Sequence, residues 1–430
     1  MSSLDQGKIE AVKEALKELK AGLPLEDVKR RLMATISPDE IPLIEQQLIK
    51  EGAALDDLLK LCDLHLALSK DRLAERKLEE VPEGHPLKLL VEENKLILKL
   101  NETLSLYLKT LASEGVKEEL TAKTLEVAEK LYAALRLHYR KVQMLLFPYL
   151  ERLGIYAVPR VLWGREHEAI VKLRKLRALL RELKGLEELV KLGEELFQSI
   201  PDIAFREDKI LYPALWTLLD EGMWAAIHEE AHEIGWAVTV KEAWKPSSKP
   251  TYPWQVKGEI KPEILEKLPT EIKAVALSLQ GGLKPDDYQL LRQDDINLDT
   301  GFLQPKEIVN LISSLPLELT FADSEGRIRF YSVSKLHKGF KRVKHLLGRK
   351  LEHCHPPQLE RIASNVFNNL KRGVKDQYTF YTKAGDRTIR VITVAIRDQD
   401  GKFLGVLEIA EDITDILENP EKIKRKIQIF

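Results

Sequence analysis

Two related stretches decide the fold of this chain: LHYRKVQMLLFPYL at residues 137–150 and IAFREDKILYPAL at residues 203–215. Each repeats apolar residues with the period of an amphipathic helix. Each also carries an aromatic residue followed by proline near its far end, Phe147-Pro148 in the first and Tyr212-Pro213 in the second. The shared pattern predicts two matching helices within one helical bundle.

Aligning the two aromatic-proline pairs sets the register between these helices. His138 then falls opposite Ile203, and Val142 falls opposite Glu207. In an antiparallel bundle such positions point inward at similar depth, where helical bundles build metal sites from side chains on facing helices. The two stretches therefore predict a candidate metal site in the middle of a bundle.

Length and composition narrow the class of protein. The chain has 430 residues, enough for two or three domains. Acidic and basic residues number 68 and 67, a balance that does not indicate nucleic-acid binding, which usually needs a basic patch. The two cysteines, Cys62 and Cys354, lie far apart in sequence, and no apolar run approaches the length of a membrane span. Since the start lacks a signal-peptide pattern, we expect a cytoplasmic protein without a membrane or nucleic-acid partner.

Residues 1–80 predict a small helical domain, because apolar residues recur with the helical period between glycine and proline breaks. This segment also holds Cys62 and His65. We expect both to be packing residues, since single residues are weak signals of a site.

Residues 81–240 predict a second helical domain with the repeated aromatic-proline helices at its centre. A helix begins near Pro86, and Val158-Pro159 begins another that carries His167. Residues 241–300 then change composition, which predicts a Pro-rich linker and connector; its prolines are Pro246, Pro250, Pro253 and Pro262.

From about residue 315 the hydrophobic period changes to two, which indicates strands. A strand at residues 317–321 is followed by a hairpin turn and a returning strand at 327–331. After a helix, three further strands are predicted at residues 377–382, 388–397 and 403–409. Residues 301–418 therefore predict an α+β domain with a five-stranded antiparallel sheet, and residues 419–430 form a basic tail.

In this order, the pieces resemble an uncharacterised prokaryotic family that combines an N-terminal helical domain of unknown function, a hemerythrin-like (HHE cation-binding) domain and a C-terminal PAS domain. The matching stretches include PEGHPLKLLVEENK, LHYRKVQMLLFPYLERLGI, VLWGREHEAI, FREDKILYPAL, SSLPLELTFADSEGRIRFYS and GRKLEHCHPP. The resemblance implies a multidomain fold: an all-α N-terminal helical domain and a hemerythrin-like four-helix bundle, followed by an α+β PAS domain with a five-stranded antiparallel sheet.

The hemerythrin-like part of this resemblance implies a non-haem iron site. Its usual motif pairs histidine with glutamate four residues later on two helices, which puts both ligands on one face. This chain departs from the motif, because Val142 follows His138 at that spacing, Ile203 precedes Glu207, and Gln143 is expected to turn away along the helix. The resemblance leaves these metal ligands and candidate helpers: His138, His167 and Glu207, with Glu93, Asp208 and His85.

These departures leave two alternatives open. Ligands from three helices suit a single metal ion rather than a di-iron centre. Alternatively, the bundle has lost its metal, and His138 is a hydrogen-bonded core residue.

The PAS-like part implies either a pocket that binds haem, flavin or a small metabolite, or a domain that dimerises. His353, Cys354 and His355 are the candidate cofactor-binding residues, because imidazole or thiolate can ligate haem iron. Alternatively, His355-Pro356 only begins a helix, with proline in the first turn.

Three functions follow from the resemblance. The first is a cytoplasmic sensory or regulatory protein that binds a non-haem metal to sense oxygen, nitric oxide or redox state, and that signals through a PAS homodimer or another signalling protein. The second is a metal-dependent iron-handling or peroxide-consuming enzyme, and the third is a metal-free interaction scaffold. We favour the sensor over an enzyme because a PAS domain adds little to a simple oxygen carrier, an argument by analogy.

Overall fold

The computed structural model divides into two compact units, residues 1–289 and residues 290–430. Cys62, His65 and the part of the basic tail beyond residue 421 lie outside the described residues. The described residues are 6–37, 81–115, 117–182, 185–257, 260–269, 286–336 and 342–421, with Lys273, Phe340 and isolated positions between residues 40 and 78.

The N-terminal part of the first unit is helical. Helices α1 (Gln6–Lys20) and α2 (Leu25–Met33) turn apolar side chains into a common core. That core contains Val12, Leu16, Val28 and Leu32, and it also contains Val161 from further along the chain. The N-terminal helices therefore pack directly against the domain that follows them.

Four helical rods make up that domain. They are α3 (Pro86–Glu114); α4 (Glu118–Lys141) continued by α5 (Phe147–Arg152); α6 (Ala157–Glu182); and α7 (Leu186–Arg206) continued by α8 (Tyr212–Leu218). Helix α3 packs against α4 and α7, and α6 packs against the same two helices. Each rod thus has two neighbours, and the closed arrangement is the predicted four-helix bundle.

The second and fourth rods each contain a π-helical turn just before their aromatic-proline pair. Val142–Leu146 joins α4 to α5, and Glu207–Leu211 joins α7 to α8. In the second turn the backbone N–H of Tyr212 donates to Glu207 O, five residues earlier. Proline explains the position of both turns, because it has no N–H to donate and its ring crowds the carbonyl four residues earlier. The wider turn relieves that conflict, and such turns occur frequently at functional sites.

Two hydrophobic clusters fill the bundle, one at each end. The end that holds the aromatic-proline pairs buries Phe147, Leu150, Tyr212 and Trp224, and the other end buries Leu104, Leu131, Leu173 and Leu196. Each fully buried side chain of this size stabilises the fold by about 1.5–3 kcal/mol. The two clusters therefore hold the rods in register on both sides of the middle of the bundle.

One acidic residue joins the N-terminal region to two rods. Asp63 Oδ1 accepts a hydrogen bond of 3.0 Å from Arg206 Nη2, at the end of α7. Asp63 also pairs with Arg165 on α6. The buried guanidinium of Arg206 and the carboxylate of Asp63 thus tie this region to two neighbouring helices.

Helix α9 (Glu221–Ile234) follows the four rods and packs on the bundle, and residues 235–256, the covering segment, then fold back over it. The Tyr149 hydroxyl donates to Thr251 O at 2.8 Å, and Arg152 Nε donates to Val256 O at 3.0 Å. Leu265 and Leu268, in and just after helix α10 (Pro262–Lys267), are buried in the same cluster as Phe147. Much of the described part of the predicted linker therefore packs on the bundle.

The second unit is built on a five-stranded antiparallel sheet, as predicted. Its strands are β3 (Glu318–Asp323), β4 (Ile328–Tyr331), β5 (Gln377–Ala384), β6 (Arg387–Arg397) and β7 (Phe403–Asp412), in the order β4-β3-β7-β6-β5. A short pair, β1 (Ile296–Asn297) and β2 (Phe302–Leu303), precedes α11 (Pro305–Ser314). Helix α12 (Pro357–Lys371) packs on β6 and β7, and α13 (Thr414–Glu418) follows the last strand. Across both units, none of the described helices has the length and apolarity to span a membrane.

Gly84 lies where the covering segment approaches the start of the bundle. It has a φ of +71°, and a Cβ there would lie 2.1 Å from Glu242 O and 2.8 Å from Trp244 N. Both are backbone atoms, so Gly84→Ala must displace the segment. We expect the midpoint of thermal unfolding to fall, measured by tryptophan fluorescence, because all 6 tryptophans lie between residues 163 and 254.

Gly115→Ala is the matched control, since Gly115 has a similar φ of +78° and nothing within 4 Å of an added Cβ. It should show only the cost of the left-handed backbone, about 1–2 kcal/mol. Equal midpoints for the two variants would contradict a close contact between Gly84 and the covering segment.

Candidate metal centre

Four fully buried polar residues meet at the middle of the bundle, one from each rod: Glu93, His138, Glu166 and Glu207. Each lies in sequence between a residue of one hydrophobic cluster and a residue of the other. The flanking pairs are Leu90 and Ile97, Leu135 and Val142, Leu162 and Ala169, and Ile203 and Leu211. The four side chains therefore occupy one level, sealed from water on both sides.

His138 is the centre of this level. Its Nδ1 lies 2.9 Å from Glu93 Oε2, and its Nε2 lies 3.0 Å from Glu207 Oε2. The Tyr212 hydroxyl lies 3.3 Å from the same Nε2 and donates to Glu207 Oε2 at 3.3 Å. Burial alone would lower the pKa of His138, but the carboxylates of Glu207 and Glu93 outweigh it and raise the pKa to about 10. His138 therefore carries a proton on both ring nitrogens at neutral pH.

Glu93 extends this network to the covering segment. Its Oε1 accepts a hydrogen bond of 2.7 Å from the backbone N–H of Ala237 and lies 3.0 Å from Lys141 Nζ. Lys141 is itself buried and donates to Gly235 O at 2.7 Å. Two positive groups, His138 and Lys141, thus lie beside two negative groups, Glu93 and Glu207, and this pairing offsets the cost of burying the charges.

The π-helical turn after Lys141 brings Gln143 into the site. Gln143 Nε2 donates to Glu166 Oε2 at 2.6 Å. The expectation that Gln143 turns away was wrong, because it assumed α-helical geometry. Gln143 lies inside the wider turn, Val142–Leu146, where the backbone departs from the α-helical period that the expectation assumed.

Two carboxylate oxygens in the centre have no hydrogen-bond partner, Glu166 Oε1 and Glu207 Oε1. An unsatisfied buried acceptor of this kind costs about 1–3 kcal/mol. Burial and then the charge of Glu207 raise the pKa of Glu166 well above its ordinary value, so the two carboxylates interact. Buried carboxylate oxygens beside an imidazole have the donor chemistry of a non-haem iron site.

The donor types fit a metal ion, but the side chains are arranged as a hydrogen-bonded network. In the described part of the chain, no group of three or more His, Cys, Asp and Glu side chains is arranged to hold a metal ion. His138 and Glu207 are the two predicted ligands that the structure brings together, and Glu93 joins them as a hydrogen-bond partner.

His167, the ligand predicted on the third rod, is exposed. Its neighbour Glu166 points inward instead, because one residue along a helix rotates the side chain by roughly 100°. The sequence analysis identified the helix but selected His167 and made no prediction about Glu166. Only the burial of Leu162 and Ala169 on the same face identifies Glu166 as the inward residue.

The remaining predicted helpers do not contact His138. Asp208 accepts a hydrogen bond of 3.0 Å from Asn94 Nδ2, and burial raises the pKa of Asp208 to about 6. His85 caps helix α3, where its Nδ1 accepts from Leu87 N at 3.2 Å. Its ring packs against the rings of Trp216, Trp224 and Trp244 at 5.2, 4.9 and 4.5 Å.

In the second unit, the three candidate cofactor-binding residues lie just before α12. His353 is exposed and lies 3.6 Å from Glu360, Cys354 Sγ contacts Lys350 O at 3.4 Å, and His355 Nδ1 lies 3.0 Å from Leu351 O. None of them lines a cavity of about 230 Å³ in the described part of this unit, which is bordered by Glu325, Lys350, Ser364, Phe367 and Lys371. These contacts agree with a role in beginning the helix.

Three family models match the chain in the predicted order. A family of unknown function (DUF438) matches residues 12–75, the hemerythrin HHE cation binding domain matches residues 85–215, and a PAS domain matches residues 308–414. The predicted architecture is thereby confirmed. A hemerythrin HHE domain and a PAS domain together suggest a sensory or regulatory protein, and the former suggests a non-haem metal.

Two solved structures are similar to parts of the chain. The C-terminal domain of a Streptococcus mutans protein is 29% identical, covers 30% of this chain and 98% of its own, and has a TM-score of 0.28. A PAS domain from Colwellia psychrerythraea is 16% identical, covers 26% of this chain and 97% of its own, and has a TM-score of 0.22. Among curated proteins, none matches the chain.

We expect His85 to make the stability of the first unit depend on pH. Burial, followed by the nearby His228, lowers the pKa of His85 to about 4, against about 6.5 in an unfolded chain. Between these values the unfolded chain binds more protons, so stability is lost as the pH falls from 6.5 towards 4. We expect the midpoint of thermal unfolding to decrease across this range.

His85→Asn should flatten that dependence, because asparagine still caps the helix but does not titrate. The measurement is the unfolding midpoint of both proteins at pH 7 and pH 4.5. An equal decrease in the two proteins would show that other groups cause it.

Proposed function

We propose that this chain, which combines a hemerythrin HHE domain with a PAS domain, is a sensor whose bundle binds one non-haem iron ion to detect oxygen, nitric oxide or redox state. The observation that carries the proposal is the pair of unpartnered buried carboxylate oxygens on Glu166 and Glu207, beside the imidazole of His138. A cytoplasmic location, inferred from the sequence, remains a prediction.

His138 and Glu207 are the first two ligands in this proposal, and Glu166 supplies a further carboxylate from the third rod. Glu93 orients His138 through Nδ1, which leaves Nε2 facing the centre; such carboxylate–histidine pairs are usual around protein metals. His167 takes no part because it is exposed, and His85 takes no part because it is enclosed by tryptophans. A bound iron ion would give the bundle a redox-active centre that responds to small gases.

Glu93 also connects the proposed metal centre to the covering segment, so that a structural change at the centre can reach that segment. The same carboxylate holds His138 through Oε2 and Ala237 through Oε1, so a shift of Glu93 acts on both contacts. Lys141 adds a second link, since it contacts Glu93 and Gly235 O. A ligand biases this route only if it binds two arrangements of these residues with different affinity.

Metal content tests the proposed centre. The full chain, loaded with ferrous iron without oxygen and then dialysed, should retain one iron ion. Glu166→Gln removes a carboxylate without changing side-chain size and should weaken binding by at least about 100-fold, because loss of an outer-shell partner alone costs about 10- to 100-fold and Glu166 is a proposed ligand. His167→Gln is the control on the neighbouring residue and should bind as the wild type does.

Equal iron binding by the Glu166→Gln and His167→Gln variants would contradict the assignment of Glu166. The alternative that the structure favours most is a metal-free interaction scaffold, because both ring nitrogens of His138 already have partners. A wild-type protein without retained iron would support that scaffold. Turnover of peroxide by the iron-loaded protein would instead support an iron-handling or peroxide-consuming enzyme.

The partner of the PAS domain belongs to the same proposal. PAS domains often mediate dimerisation or protein interactions, and we infer a homodimer through this domain, with another signalling protein as the alternative. We expect light scattering of the full chain to give twice the 49.3 kDa mass of one chain. A mass of one chain at micromolar concentration would favour a different partner.

A further inference from the structure

The pair formed by His138 and Glu207 has a third donor beside it that is not a conventional ligand of this kind of bundle. Tyr212 Oη lies 3.3 Å from His138 Nε2 and 3.3 Å from Glu207 Oε2, and these two atoms lie 3.0 Å apart. All three side chains are fully buried. Three donor atoms from two rods therefore form a small triangle at the level of the centre.

The size of this triangle suits one face of an octahedral metal site. Bonds of about 2.1 Å separate neighbouring ligand atoms of such a site by roughly 3.0 Å. The triangle has sides of 3.0, 3.3 and 3.3 Å, so an ion can bind all three atoms after small movements. Since Glu93 holds the protonated Nδ1 of His138, loss of the Nε2 proton gives that nitrogen a lone pair that can point towards the ion.

The local backbone explains why the tyrosine hydroxyl reaches this point. Tyr212 ends the π-helical turn that begins at Glu207, and its backbone N–H donates to Glu207 O. Residues five apart in such a turn share a side of the helix, so the carboxylate and the phenol converge. The matching position in the other half of the bundle is Phe147, which has no hydroxyl. The phenol oxygen is thus the chemical difference between the two aromatic-proline pairs.

We propose that Tyr212 is a metal ligand, and that it binds ferric iron as a phenolate together with His138 and Glu207; this rests on the proposed function. The O–H bond of Tyr212 and the Nε2–H bond of His138 both break, and the two protons leave to solvent. The electron pairs left on Oη and Nε2 form the bonds to iron. The oxidation state of the iron does not change in this step. A phenolate and carboxylates are hard oxygen donors, and a tyrosine phenolate also ligates iron in some haem proteins.

Charge balance supports a trivalent ion at this position. The side chains of the site are fully buried, and a buried net charge is costly unless it is compensated. The phenolate of Tyr212 and the carboxylates of Glu207 and Glu166, once Glu166 has lost its proton to solvent, carry three negative charges, which match one ferric ion. Glu93 and Lys141 form a separate neutral pair at 3.0 Å. The tyrosine therefore lets the buried centre hold ferric iron without net charge.

Absorption spectroscopy tests this ligand independently of activity. The full chain and two variants, Tyr212→Phe and Tyr139→Phe, are loaded with one equivalent of ferrous iron, oxidised and dialysed. A ferric phenolate gives a broad visible band with tyrosine vibrations in its resonance Raman spectrum. We expect the band in the wild type and in Tyr139→Phe, and its complete loss in Tyr212→Phe. Tyr139 is the matched control because it is also buried and its ring lies 5.8 Å from the ring of His138.

Tyr212→Phe should fold, because it gives this half of the bundle the aromatic residue of the other half; thermal unfolding of each variant verifies this. Bound iron without a tyrosine band in the wild type, or a band that persists in Tyr212→Phe, would overturn the assignment of Tyr212 while leaving the metal site intact. A wild type that retains no iron would reject the proposed function and this ligand together.

Discussion

The contact of His138 with two carboxylates is the interaction on which the bundle depends. A protonated imidazole in a dry interior is stable only while Glu93 and Glu207 stay within hydrogen-bond distance. Those contacts hold three of the four rods at a fixed depth. The hydrophobic clusters on both sides supply the bulk of the packing, but they tolerate sliding better than a charged hydrogen bond does.

The same requirement explains how the centre and the covering segment are connected. Glu93 balances His138 on one oxygen and holds the backbone of Ala237 on the other. Lys141 then keeps the local charge neutral and fixes Gly235. The covering segment therefore contributes hydrogen bonds to the charged network in the core of the bundle. A flexible linker, in contrast, would make no such contacts with the core.

The sequence predicted much of this architecture for clear physical reasons. The alternation of apolar residues located the five strands, and the repeated aromatic-proline pairs located the second and fourth rods with His138 and Glu207. The two π-helical turns were not predictable, because the spacing of apolar residues does not show whether a backbone N–H donates to the carbonyl four or five residues earlier. That one change of geometry moved Gln143 into the site. Glu166 was missed because the resemblance pointed to the neighbouring histidine, His167. Which of these two adjacent residues faces the core depends on the rotation of the helix about its axis, and only the burial of the neighbouring side chains shows that rotation.

Asp63 connects the N-terminal helical region to the residues next to the candidate metal centre. Its carboxylate holds Arg165 and Arg206, and these arginines immediately precede Glu166 and Glu207 in sequence. Asp63 thus links the two helix positions next to Glu166 and Glu207 from outside the core of the bundle. The N-terminal domain therefore contacts both of the helices that carry these carboxylates, and its contribution adds to the direct packing between them.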